Sequence, residues 1–251
     1  PSLGERILDG ILQGREGIRE TLLSFAADYM PADIILHLHE RAKSHAKACG
    51  QKTQESYRWM DMAAVLAREA LDEERFLATL RSMYGQIPPH AHVITAEIRL
   101  RRGDFAGAAQ KLLEQEPADE DLDLWDDLGI QVLDGLIEPD AKRAFFLPFF
   151  RMRRNAQLLA DVPRLFPGKS TDEFVQEEMA LILQNLAFST HDAAFLVDAG
   201  FPEAADRYVA ARRSRFSSVD AAKLEELGDL LAYNRGSLGA AMLFRHLLER
   251  Q

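Results

Sequence analysis

The chain has 251 residues, of which 47% are hydrophobic and 28% are charged, a balance that is typical of folded globular proteins and excludes disordered or fibrous ones. Its 40 acidic and 30 basic residues give a formal net charge of −10, which argues against nucleic-acid binding because phosphate recognition needs a positive surface. No apolar run is long enough to span a bilayer and the first residues do not resemble a signal peptide, so we expect a cytoplasmic protein that does not enter membranes.

Helical periodicity begins with the first residues of the chain, where apolar side chains recur at spacings of three and four. Two such segments precede Pro31, and this proline marks the end of the second one. Further amphipathic helices are predicted over 32–49, through 57–71 and through 76–84. Each break between them is only a few residues long, which favours pairs of antiparallel helices.

The segment 92–100 fits two structures. Alternate residues from Ile94 to Leu100 are apolar, as in a strand, but Ile94 and Ile98 also share one face of a helix. The residues that follow, 101–115, are rich in small side chains and are typical of a helix that packs closely against a preceding helix. We therefore expect 92–100 to be helical as well.

The second half of the chain continues the helical pattern. An acidic helix is predicted over 119–136, and Pro148, which lies in a run of phenylalanines, is expected to kink or divide its helix. Residues 158–168 carry the strongest loop signal, and if the chain has two lobes, the hinge between them would lie near 163–171. Ser170 or Thr171 then opens the first of several further helices.

A short pattern of glycine, aromatic and alanine residues occurs near 103–112, and related fragments occur at 200–208 and 235–241. The residues of the first copy are Gly103, Phe105, Ala108 and Leu112. Their spacing resembles the second half of a tetratricopeptide repeat, a helix-turn-helix unit of roughly 34 residues. Ala96 and Pro117 match further positions of that repeat.

The match covers part of the chain only, and His92 and Arg99 stand where the family has aromatic residues. The resemblance implies an all-α fold of stacked antiparallel helix pairs, an α-solenoid of about 12 to 14 helices. We expect one helical-repeat domain over residues 1–251, with a concave surface that binds a partner. The resemblance assigns no functional residues.

Histidines and the single cysteine are the first candidates for catalysis or metal binding. His37 and His45 lie two turns apart on one predicted helical face, with His39 to one side, whereas a metal pair usually lies one turn apart and has a third ligand. Cys49 lies one turn from His45, but no oxyanion arrangement accompanies it. We expect a solvated histidine face, a cysteine that fills space in the core, and no metal, cofactor or catalytic centre.

Charged clusters are the remaining candidates. The acidic run near 119–127 lacks the glycine and the ligand spacing of a calcium loop, and no glycine-rich phosphate loop occurs. Basic clusters follow the phenylalanine run, at Arg151, Arg153 and Arg154, and recur near 207–215. They either neutralise the negative ends of helices or, on a shared groove, bind an acidic peptide or a phosphate-bearing ligand.

The sequence therefore predicts a non-enzymatic scaffold or adaptor that binds another protein or peptide through a concave helical-repeat surface. Exposed aromatic and arginine residues would form such a surface. The candidates are Tyr57, Trp59, Arg99, Arg102, Tyr208 and Arg212. An alternative is a helical ligand-binding or enzymatic domain with a pocket between two lobes near residues 145–175, which would require convergent polar groups.

Overall fold

A computed structural model of the chain describes residues 23–50, 53–118, 121–234 and 236–250. Within these ranges every regular element is a helix and none is a strand, which confirms the all-α class. The first predicted helix lies outside the described residues, and of the second only Ala26–Tyr29 (α1) lies within them. No helix in these ranges is long and apolar enough to cross a membrane.

The chain divides into two compact units, Pro1–Ile137 and Glu138–Gln251. The expected single repeat domain and its hinge near 163–171 stay predictions, and that segment lies inside the second unit. After α1, the described helices of the first unit are α2 (Ala32–Ala48), α3 (Gln54–Glu69), α4 (Glu73–Tyr84), α5 (Ala91–Arg101), α6 (Phe105–Glu114) and α7 (Leu122–Gly135). Consecutive helices of this unit pack against one another.

The second unit is also helical. Its described α-helices are α8 (Pro139–Arg153), α9 (Val162–Leu165), α10 (Thr171–Gln184), α11 (Thr190–Asp198), α12 (Pro202–Ala211), α13 (Ala221–Tyr233) and α14 (Ser237–Glu249). Two short 3-10 helices, Ala156–Asp161 and Arg213–Ser218, connect some of them. Helix α11 packs against α12 and α13, and α14 packs against both α12 and α13. Two successive helical hairpins are therefore in contact in this unit.

The same three-residue turn joins the helices of three hairpins, α3–α4, α5–α6 and α11–α12. Its middle residue has a left-handed backbone, with φ 56° at Leu71, 78° at Gly103 and 87° at Gly200. The next residue donates its N–H to a carbonyl in the last turn of the preceding helix, as Asp72 does to Ala67 at 2.9 Å and Asp104 to Arg99 at 2.9 Å. This arrangement is a Schellman ending, which satisfies free carbonyls and reverses the chain within a few residues.

Aspartate caps reinforce two of these turns. The Asp72 carboxylate accepts the Arg75 N–H at 2.9 Å at the start of α4. The Asp104 carboxylate accepts the Gly107 N–H at 2.9 Å at the start of α6. Each contact satisfies an N–H group that the helix itself leaves free. Gly103 thus lies at the turn of a helical hairpin, as the repeat-like pattern predicted, and Asp104 caps the second helix of that hairpin.

Helix α5 confirms that the segment 92–100 is helical rather than extended. Ala91, Val93, Ala96 and Ile98 are buried in this helix. These apolar residues occupy two faces of the helix. Both faces are covered, since α6 and α7 of the first unit contact this helix. A helix buried on more than one side loses the simple periodicity by which helices are distinguished from strands.

Helix α8 continues through Pro148 as one element, although a proline removes one backbone hydrogen bond inside a helix. Pro148 is exposed, whereas the four phenylalanines around it are buried. These are Phe145, Phe146, Phe149 and Phe150, and their rings contact one another or Phe174 of α10. Burial of about 2 kcal/mol per large apolar side chain outweighs the loss at the proline, so the helix is not divided.

Candidate functional site

An exposed aromatic surface lies at one end of the α3–α4 hairpin. Tyr57 and Asp61 are one turn apart on α3, and Tyr84 is the last residue of α4. Because a short turn makes the two helices antiparallel, the end of α4 lies level with the beginning of α3. Tyr57 is 37% exposed and Tyr84 is 51% exposed. We call these three residues the Tyr57–Tyr84 face.

The electrostatics of this face agree with that placement. Partial burial raises the pKa of Tyr84, and negative charge on Asp61 and Tyr57 raises it further. Partial removal from water raises the pKa of the Asp61 carboxyl, and no neighbouring cation lowers it. Within the described ranges, Asp61 is therefore a carboxylate without an opposite charge beside two tyrosine rings.

Trp59 has a different position from its neighbour Tyr57. Its ring stacks on His45 of α2, with 4.6 Å between the ring centroids and an interplanar angle of 19°. It is half-buried and packs against the core formed by residues of α1, α2 and α3. Trp59 thus presents only part of its surface to a partner, and its indole also holds α3 against α2.

Arg99 joins two hairpins of the first unit. Its guanidinium donates two hydrogen bonds to the Glu73 carboxylate, at 2.8 and 2.9 Å. Two further ion pairs join α3 to α5, namely Arg68 with Glu97 at 2.7 Å and Arg101 with Glu69 at 3.1 Å. The two bonds to Glu73 hold the Arg99 side chain within the unit, although this side chain keeps some exposure to solvent.

Arg102 is exposed at the turn between α5 and α6. It borders an open cleft of about 750 Å³. The other lining residues are Ala70, Leu71, Asp72, Glu73, Glu74 and Leu77. Two of the carboxylates in this cleft are already used, since Asp72 caps α4 and Glu73 binds Arg99. Arg102 remains a candidate for contact with a partner.

Tyr208 and Arg212 are buried in the second unit, with exposed fractions of 0% and 8%. The Tyr208 hydroxyl accepts the Ser189 N–H at 3.0 Å and donates to the Ala187 carbonyl at 3.1 Å. The Arg212 guanidinium lies 3.9 Å from the centroid of the Tyr208 ring. Neither side chain is presented to solvent, so we leave both out of the partner surface.

Arg212 has a structural role that follows from its position. Its guanidinium donates to carbonyl oxygens at the carboxyl end of α10 and in the segment after it. The acceptors are Ile182, Leu183, Asn185 and Ala187. The carbonyl groups at the end of α10 carry the negative end of the helix dipole and have no helical N–H partner. For the basic cluster near 207–215 the sequence left two interpretations open. Neutralisation of a helix end by a basic residue was one of them.

The other basic cluster binds a buried glutamate. Arg151 donates to the Glu178 carboxylate at 2.6 Å, and Arg154 also donates to it. Arg154 donates in addition to Asp192 at 3.0 Å. Burial opposes the ionisation of Glu178, but the hydrogen bonds from both arginines outweigh it, and the pKa of this carboxyl is lowered. The cluster therefore joins α8, α10 and α11.

His39 departs from the expected solvated histidine face. Its ring is fully buried, and its Nε2 lies 3.2 Å from the Thr79 hydroxyl of α4 while its Nδ1 lies 3.2 Å from a Glu40 oxygen. Burial lowers the pKa of His39, although the charge of Glu40 opposes that effect. His39 faces inward because α4 covers that side of α2, which periodicity within α2 does not reveal.

We expect the free energy of unfolding to decrease as the pH falls below about 6.5, because the unfolded chain then binds a proton that folded His39 resists. The contribution of His39 to stability is complete above the pKa that this residue has in the unfolded chain. It is lost as the pH falls towards the lower pKa of His39 in the folded chain. Urea unfolding at several pH values should show a smaller decrease for His39→Gln than for the wild type. His37→Gln, at an exposed position of the same helix, serves as the control. Equal pH dependence in wild type and His39→Gln would contradict this assignment.

The segment 145–175, where the alternative hypothesis placed a ligand pocket, contributes several packed aromatic rings to the second unit. Phe146 contacts Phe166 and Phe174 at centroid distances of 5.8 and 6.0 Å. The pocket stays a prediction. In the described parts of the chain, no three or more His, Cys, Asp or Glu residues are arranged to hold a metal ion.

No protein-family model matches the chain, and neither a curated protein nor a solved structure gives a significant match.

Proposed function

We propose that the chain is a non-enzymatic helical-repeat protein, similar to tetratricopeptide proteins, that binds another protein or a peptide. The observation that carries the proposal is the recurrence of one hairpin turn, with left-handed residues at Leu71, Gly103 and Gly200. Proteins built from such hairpins bury one side of each pair and leave an extended surface for partners. A cytoplasmic location belongs to the same proposal.

The Tyr57–Tyr84 face supports the choice of the first unit as the binding region. Tyrosines at interfaces supply large contact areas at a small cost in side-chain entropy. Tyr57 and Tyr84 are both more than one-third exposed. Arg102 supplies a cation on the same unit, whereas Arg99 is bound to Glu73. The proposal therefore keeps Tyr57, Trp59 and Arg102 from the sequence candidates and adds Tyr84.

The test is affinity capture from a lysate of the source organism, followed by titration with each purified candidate partner. We expect a partner whose affinity falls about tenfold or more in the double variant Tyr57→Ala, Tyr84→Ala, since each change removes an aromatic anchor. Tyr233→Ala is the control, because Tyr233 is 89% exposed and lies in the second unit. The proposal is overturned if no purified partner binds the folded wild-type chain.

A further inference from the structure

The Tyr57–Tyr84 face combines two aromatic rings with one carboxylate. Tyr57 and Asp61 share a helical face because they are separated by one turn. Tyr84 lies at the same end of the hairpin, and its ionisation is influenced by both residues. All three residues are exposed, so the combination is open to a ligand.

Asp61 has no opposite charge of its own in the described structure. Its carboxyl is partly removed from water, and neither a cation nor a hydrogen bond accounts for its ionisation behaviour. It borders a small cavity of about 120 Å³ whose other lining residues are Leu23, Ser24, Arg58, Met62 and Val65. Arg58, the cation at this cavity, has a partner of its own. An unpaired carboxylate beside apolar surface is stabilised when a cation binds it.

Aromatic rings and a carboxylate recognise the same kind of ligand. The faces of tyrosine rings attract ammonium and guanidinium groups, and the attraction grows when the cation leaves water. A carboxylate at the same place pairs with the charge, while the rings cover the aliphatic part of a lysine or arginine side chain. The negative net charge of the chain, −10, favours approach of a basic ligand.

We propose that the Tyr57–Tyr84 face binds the cationic end of a lysine or arginine side chain in a basic segment of a partner protein. The inference rests on the proposed function, because it names the chemistry of the partner that the first unit would bind. It adds a requirement that the proposed function lacks, namely the negative charge of Asp61.

The experiment uses the full chain and a fluorescein-labelled peptide of lysine, arginine, glycine and serine, with anisotropy as the readout. A second peptide carries acetyl-lysine and citrulline in place of the cations, so its shape is similar but its charge is removed. We expect the cationic peptide to bind and to lose affinity as salt is raised. The neutral peptide should bind at least about tenfold more weakly.

Substitutions at three positions separate the parts of the face. Asp61→Asn should weaken binding of the cationic peptide about tenfold, because it removes the charge and keeps the shape. Tyr57→Leu and Tyr84→Leu should each weaken it several-fold, whereas Tyr57→Phe and Tyr84→Phe should retain it, since phenylalanine keeps the ring. Circular dichroism and thermal unfolding verify that each variant is folded.

Asp198→Asn is the matched control for the carboxylate, because Asp198 is exposed in the second unit and its pKa is raised by the same partial burial. Tyr233→Leu is the control for the rings. Both should bind the cationic peptide as the wild type does. Equal affinity of wild type and Asp61→Asn for this peptide, or equal affinity of the wild type for the two peptides, would overturn the inference.

The same variants distinguish this inference from the proposed function. A purified partner that binds the wild type and Asp61→Asn equally well supports the proposed function and overturns the cation-binding face. A cationic peptide that requires Asp61 and both rings, with no purified protein partner, supports the face and overturns the proposed function. Absence of both kinds of binding to the folded chain overturns both.

Discussion

The substitution Glu178→Gln is expected to destabilise the second unit by about 3–5 kcal/mol, the usual cost of breaking a buried ion pair on one side. Glu178 is 2% exposed and accepts hydrogen bonds from Arg151 and Arg154. An amide has no charge and only one acceptor oxygen, so it cannot offer the two guanidinium groups both acceptor atoms that the carboxylate provides. Arg154 is 9% exposed and would keep only Asp192 as an acidic partner.

Hydrogen–deuterium exchange, read from peptides of the full chain, measures this effect. We expect faster exchange in α8, α10 and α11, since the network joins these helices. Glu177→Gln is the control, because Glu177 is exposed and pairs with Lys169 at the surface. A loss of no more than about 1 kcal/mol in Glu178→Gln, the value of a surface ion pair, would show that the network does not hold these helices together.

Arg212→Ala is expected to cost about 2–4 kcal/mol, because a buried donor to several carbonyl oxygens is removed. Asn185 and Ala187 each accept from its Nε at 3.1 Å, and Leu183 accepts from a terminal nitrogen at 3.1 Å. The substitution also removes the cation from the Tyr208 ring. Arg212→Lys should recover little of the loss, since an ammonium group cannot reproduce the planar fork of a guanidinium.

Urea unfolding of the full chain, monitored by circular dichroism, gives the free energies of unfolding of the wild type and of the Arg212 variants. Arg213→Ala is the control, since Arg213 is the exposed neighbour of Arg212. Exchange in the segment 182–187 should increase most, because its carbonyl acceptors lose their donor. Full recovery of stability by Arg212→Lys would mean that charge alone, rather than the geometry of the hydrogen bonds, explains the role of Arg212.

Both predictions concern residues that resemble surface residues when the sequence is read alone. Arginines near helix ends are common in binding grooves and equally common as partners of helix carbonyls. In the second unit the buried arginines act within the fold. The first unit differs, because Tyr57, Tyr84 and Arg102 keep exposed side chains.

Local sequence determined most of the secondary structure. Helical spacing was sufficient to predict the all-α class, and Ser170 with Glu173 forms the capping box that opens α10. Gly103 and Gly200 mark turns because glycine adopts the left-handed backbone without steric cost. These features depend on residues close together in the chain, so a single sequence reveals them.

Tertiary structure determined which side chains are buried and where some helices end. The pattern predicted a helix through residue 71, but α3 ends at Glu69 because Leu71 adopts a left-handed backbone and packs with the core between α3, α4 and α5. His39 is buried beside Thr79 of α4, a helix distant in sequence, and Tyr208 is buried against α11, whose Asp192 lies beside the Tyr208 hydroxyl. Periodicity defines the faces of one helix, whereas burial depends on which other helices cover each face.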